Sequence, residues 1–274
     1  MAYSPSPKPD YKKNTFIKFS NLKIHLWGDK VSGYVKDWIY VSNKSIHQII
    51  FGIKPGSNFK HSNEYRTIFG ADEFLYVLSG TLIISNPQTG EIHKVEEGQS
   101  VFFRKDTWHH AFNYSNKELQ VLEFFSPPPL TGTSGVYAKK KPFLKKNIYQ
   151  KKILEYPNIN FKKENSFFIL NKEDIIWSLY GPNQELLFGT YVKTKYLKVN
   201  LIKLMPGQKS PPISFIHDVC FFSLNNNIMA DIPGHKKSLC MKFRDTIYLK
   251  GNNEIIMKNK SKKEAEIIMC EGLI

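Results

Sequence analysis

Apolar residues fall in short runs bounded by turn residues, at the spacing of strands rather than helices. Ile49-Ile-Phe-Gly-Ile53 stops at Pro55-Gly56, and the long run from Glu73 to Asn86 is broken at Gly80 and ends in Asn86-Pro-Gln-Thr-Gly90. Val101-Phe-Phe103 and Leu119 to Phe125 follow, and Pro127-Pro-Pro129 stops the last of them. Short strands with turn signals at regular intervals predict an all-β sandwich or barrel. From about residue 130 the apolar density drops and lysine pairs take over, as at Lys145-Lys146 and Lys151-Lys152, which predicts a linker with a short helix around Lys145 to Glu155. Strand patterning resumes near Ser166.

The second half repeats the first. Glu97 to Phe125 aligns without a gap on Phe243 to Glu271 at an offset of 146, bringing Asn113 onto Asn259 and Val101-Phe-Phe103 onto Ile247-Tyr-Leu249. Shifted by one residue, Glu73 to Gly80 falls on Asp218 to Asn225, and Pro55-Gly56 has a counterpart in Pro206-Gly207. A repeat of this length predicts a duplicated β domain. The expected layout is a flexible tail over 1–20, a first barrel over 21–129, a linker over 130–163 and a second, eroded barrel over 164–274.

Composition narrows the function classes. The 274 residues carry a formal net charge of +15, yet only Arg66, Arg104 and Arg244 among the 39 basic residues are arginine. A nucleic-acid reader would use more arginine for bidentate contacts, so a solvated lysine surface and no specific nucleic-acid partner are expected. The cysteines, Cys220, Cys240 and Cys270, are odd in number and form no CxxC pair, which predicts reduced thiols and a cytoplasmic setting. The Pro-rich start has no apolar core of a signal peptide, and no run approaches a membrane span.

Two segments carry candidate chemistry. Glu73 reaches Gly80 across six residues, and Gly98, His109 and Asn113 recur at fixed intervals. These spacings resemble the cupin superfamily, whose motifs read G-x5-H-x-H-x3–4-E-x6-G and G-x5-P-x-G-x2-H-x3-N. Arg104 stands in place of the proline and Asp106 in place of the second glycine. The resemblance implies two tandem antiparallel jelly-roll barrels, with facing strands directing side chains inward. It also implies a divalent metal, Fe, Mn, Zn or Ni, held by two histidines and a glutamate of the first motif and one histidine of the second.

The first-motif histidines are missing: their registers fall on Arg66 and Ile68, or on Thr67 and Phe69. Glu73 and His109 remain as metal ligands, and His61, from the loop before Glu73, is the candidate third. The residues leave a metal-bound site and a metal-free cavity both open. His109 is the candidate acid or base and Glu73 its orienting partner. Arg66 and Arg104 either clamp a substrate carboxylate at the barrel mouth or form surface ion pairs with Asp72, Asp106 or Glu64. Alternation turns His110, Trp108 and Phe112 away from His109. In the second barrel Asp218 takes the Glu register and Ile255 the His register, so no metal is expected there.

Two functions follow. One is a metal-dependent oxygenase, lyase or isomerase acting on a small acidic molecule in the first barrel. The other is a metal-free binder or sensor of a small-molecule ligand, without catalysis. A monomer or homodimer is expected, the latter through outward aromatic residues such as Trp108.

Overall fold

The computed structural model of the chain describes residues 7–127, 136–148 and 165–274. They form two antiparallel barrels, each a seven-stranded sheet facing a four-stranded one. In the first barrel the larger sheet runs in the order Phe167–Leu170, Ser100–Phe103, Asp72–Ser79, Leu119–Ser126, His47–Ile53, Gly33–Ser42, Ile24–Asp29. The smaller sheet holds Asn58–Phe59, His110–Asn113, Thr81–Ser85 and Ile92–Glu96. The second barrel repeats this plan, from Thr15–Ile17 beside Thr246–Leu249 at one edge to Ile176–Tyr180 at the other.

Each larger sheet borrows its outer strand from the other half of the chain. Thr15–Ile17 pairs with Thr246–Leu249 of the second barrel, and Phe167–Leu170 pairs with Ser100–Phe103 of the first. The expected boundaries therefore move: part of the expected tail is an ordered strand, and the first strand after the linker belongs to the first barrel. Residues such as Thr15, Phe16 and Ile17 suit a strand, but only an open edge elsewhere in the fold gives them a partner. One apolar cluster fills each barrel, and a third, with Trp38, Tyr40, Phe74, Phe124, Phe222 and Tyr248, fuses the two larger sheets back to back. Cys220 and Cys270 lie opposite one another in that shared layer, both free and buried.

The repeat is visible atom by atom. Asn113 Nδ2 donates to the carbonyls of Ile53 and Lys117, and Asn259 Nδ2 to those of Leu204, Met205 and Lys263. Both asparagines are fully buried and pin the turn between the last two strands of their barrel. Replacing either by alanine would leave buried carbonyls without donors, an expected loss of about 1–3 kcal/mol per site that urea denaturation would read. Asp106, where the motif has glycine, and Asn252 at the same place in the second barrel both take left-handed backbone, φ 67° and 60°. Aspartate and asparagine tolerate this region better than other side chains, so the turn survives without its glycine.

The linker contributes the one α-helix described, Val136–Lys140. The helix expected around Lys145 to Glu155 is absent over 145–147, Ile148 has 3-10 conformation, and the remainder lies outside the described residues. No helix among the described residues is long and apolar enough to cross a membrane.

Candidate functional site

Strand register decides which side chains meet inside the first barrel. Glu73 lies opposite Phe125, and Glu123 opposite Leu75, on the adjacent strands Asp72–Ser79 and Leu119–Ser126. The two glutamates are therefore diagonal neighbours on one inward face, within reach of each other. They share a hydrogen bond, and burial pushes both carboxyls well above the usual range, with the charge of Glu123 adding to the effect at Glu73 and that of Asp37 at Glu123. Asp37, on Gly33–Ser42, points into the same interior. Burial pushes its carboxyl up to about 8, and its charge also opposes ionisation of Glu123.

His109 enters from the segment preceding His110–Asn113. Its Nδ1 donates to the Thr107 carbonyl at 3.3 Å, leaving Nε2 as a lone pair 3.9 Å from Glu73 Oε2. Burial pulls the imidazole down to about 4, so it is neutral at neutral pH. The faces of Phe69 and Phe103 hold the ring in place. Glu73 Oε2 and Thr67 Oγ1 are buried with no hydrogen-bond partner. Beside Glu73 lies a cavity of about 60 Å³ whose polar lining is Asp37, Thr67, His109 and Glu123 and whose walls include Trp27, Phe51, Phe59, Phe69 and Phe125.

His61 lies elsewhere. Its Nδ1 meets His110 Nε2 at 2.7 Å and its Nε2 meets the Leu144 carbonyl at 2.9 Å, beneath Trp108 and Phe143. Both ring nitrogens are committed outside the barrel, where the 136–148 strap crosses it, so His61 does not complete a metal site with Glu73 and His109. Trp108 is buried under the same strap, which removes it as a dimer contact. His110 shares that outer face, with Ala111 and His109 on the cavity side.

Neither arginine lines the cavity. Arg66 Nη1 donates to the carbonyls of Ala138, Lys139 and Lys141, with its guanidinium over the Phe143 ring, so it fastens the strap. Tyr137 and Lys141 add bonds to Asp106. Arg104 pairs with Asp72 at 3.1 Å, and Asp72 Oδ1 accepts from Lys105 N. The second barrel repeats this clamp with Lys250, Asp218 and Gly251 N. Arg104 is thus a turn ion pair, one of the two alternatives its position allowed.

Strand pairing also corrects the one-residue shift. Glu73 lies opposite Phe103, and Val219 lies opposite Leu249, at the unbroken offset of 146. Val219 is therefore the counterpart of Glu73, and Asp218 that of Asp72. By register, Glu123 corresponds to Met269 and Asp37 to Phe188, and by count His109 corresponds to Ile255. All four counterparts belong to the apolar core of the second barrel.

Motif spacing locates Glu73 and His109 but misses Glu123 and Asp37. The available signal was a carboxylate inside an apolar strand at inward parity, as in Val121-Leu-Glu-Phe-Phe125 and Val35-Lys-Asp-Trp-Ile39.

The donors present do not fit the metal of the resemblance. Two of its four ligand positions lack imidazoles, Glu73 is bonded to a second carboxyl, and among the described residues no group of three or more His, Cys, Asp or Glu is arranged to hold an ion.

Two fused β-barrels, the first with a polar interior at the positions of a cupin site, define a bicupin architecture. Residues 51–125, within the first barrel, match the family model for the cupin domain. The fold is similar to that of the protein Ylba from E. coli, with a TM-score of 0.66 and 9% identity, covering 97% of this chain and 94% of that one. It is also similar to AerE from Microcystis aeruginosa (TM-score 0.60, 11% identity, 94% of this chain and 99% of that). A serine-to-alanine mutant of Bacillus subtilis oxalate decarboxylase gives a TM-score of 0.60 at 14% identity, covering 97% of this chain and 78% of that one. At these identities the likeness is one of fold alone. No curated protein matches the sequence.

Proposed function

We propose that this protein is a metal-free bicupin that takes up a small molecule in its first barrel, while the second barrel is structural. One observation carries the reading. The fold builds the same interior twice, and the four positions that hold Asp37, Glu73, His109 and Glu123 in the first barrel hold Phe188, Val219, Ile255 and Met269 in the second. Folding therefore does not require polar groups there. Burying three carboxyls and an imidazole costs free energy that an apolar core would not incur, and groups retained at such expense point to a ligand. The arginines that would clamp a small acid, Arg66 and Arg104, are engaged elsewhere, and the described lining residues include no lysine or arginine.

Elemental analysis of the dialysed protein tests the metal-free reading. Iron, manganese, zinc and nickel are expected well below one equivalent, before and after incubation with each ion. Near-stoichiometric metal that disappears in His109→Ala would overturn it. A ligand supplied at about 100 times its dissociation constant adds about 2.7 kcal/mol of stability, which a thermal-shift screen reads readily.

A second reading has its own support. Asp37 is pushed up to about 8 and His109 down to about 4, so near neutrality one cavity holds a protonated acid and an unprotonated base. Groups driven apart in this way suit proton transfer. Exchange of carbon-bound hydrogen for deuterium in small carbonyl compounds, followed by NMR and absent in His109→Ala, would support catalysis; no exchange across such a set would leave binding alone.

A further inference from the structure

We infer that the first-barrel cavity takes a small organic cation, an ammonium or amidinium on a few carbons, held between Asp37 and Glu123 and covered by the rings of Trp27, Phe51, Phe59 and Phe69. This names the ligand class of the site proposed above and rests on that reading.

Charge, shape and surface each lead to it. Asp37 and Glu123 line the cavity, and Glu73 stands behind them, bonded to Glu123. No lysine or arginine among the described lining residues offsets them. Without a counter-charge, burial keeps Asp37 protonated near neutral pH. An entering cation supplies that charge, so Asp37 ionises and its proton passes to solvent. An anion would meet two carboxyls and, among the described lining residues, no lysine or arginine to offset its charge.

The walls select among cations. Aromatic faces attract a weakly hydrated organic cation through the ring quadrupole, and the attraction grows when the site is dry. Compact divalent ions need several converging ligands, and these do not converge here. A cavity of about 60 Å³ suits a small occupant such as methylammonium or guanidinium.

Isothermal titration of the full chain at pH 7 with methylammonium, guanidinium, acetate and formamide tests the inference, each in two buffers of different ionisation heat. One-to-one binding of a cation with proton release, silence from acetate and formamide, and a loss of at least about tenfold in Asp37→Asn and in Glu123→Gln are expected. Formamide binding as well as the cations, without proton release, would overturn the cation class while leaving the cavity's binding role intact. No binding by any probe, joined by no hit in the thermal-shift screen, would overturn both. Manganese or zinc alone binding more tightly than either organic cation would also overturn both, by restoring a metal to the site. Circular dichroism of the two isosteric variants confirms that each is folded before titration.

Discussion

Replacing Glu73 and Glu123 together with the residues of the second barrel, as Glu73→Val with Glu123→Met, is expected to leave the protein as stable as the parent or more stable, by up to about 3 kcal/mol. Each carboxyl is buried, and their shared hydrogen bond offsets only part of the desolvation. Removing both partners removes the penalty, and Val219 and Met269 demonstrate that this fold packs those side chains at these registers. Each single replacement strands the remaining carboxyl, an expected cost of about 1–3 kcal/mol relative to the double variant. Urea denaturation of all four proteins gives the coupling energy directly. The same double variant is expected to lose ligand uptake. A double variant less stable than the parent by more than about 2 kcal/mol would make the pair a structural element and remove the main support for a functional cavity.

The repeat behind these replacements is legible in the sequence, because strand pairing counts residues and the offset of 146 survives from Glu73 to Glu271. Matching by chemical type is less faithful than matching by count. Shared acidity sets Glu73 on Asp218, yet Asp218 and Asp72 are the true pair, each clamping the turn at Lys105 or Gly251. Glu73 and His109 are legible because their motif spacing fixes opposed strands. Glu123 and Asp37 carry no motif, and only parity along an apolar strand marks them. The misplacement of His61, Arg66 and Trp108 has a different cause. Their surroundings are set by the 136–148 strap, and nothing local in a lysine-rich linker specifies where it docks. The exchanged strands Thr15–Ile17 and Phe167–Leu170 are hidden for the same reason: short apolar runs do not reveal which sheet edge will accept them.

Asp37→Asn is expected to raise stability by an amount that grows with pH. The carboxyl lies near 8 in the folded barrel, against 3.8 when free in solution, so between these values the folded protein holds a proton that the unfolded chain has released. Stability therefore falls as pH rises from about 4 to about 8, and levels off above that. Glu123 faces Asp37 across the cavity and His25 is its cross-strand neighbour; neither supplies a fixed positive charge to hold it ionised. Asparagine keeps the shape and a donor but cannot ionise. The variant should match the parent near pH 4 and exceed it by on the order of 2–5 kcal/mol at pH 8, since each tenfold difference in proton affinity between the folded and unfolded chains is worth about 1.4 kcal/mol. His47 and His109, both pulled down to about 4, act in the opposite sense. They withdraw stability as pH falls from 6.5 toward 4, equally in both proteins, so the difference between the two unfolding curves reports Asp37 together with its effect on Glu123. A gap that stays constant from pH 4 to 8 would mean that Asp37 is ionised in the folded protein. The cavity would then contain a positive partner, and the case for a cation ligand would lose its electrostatic basis.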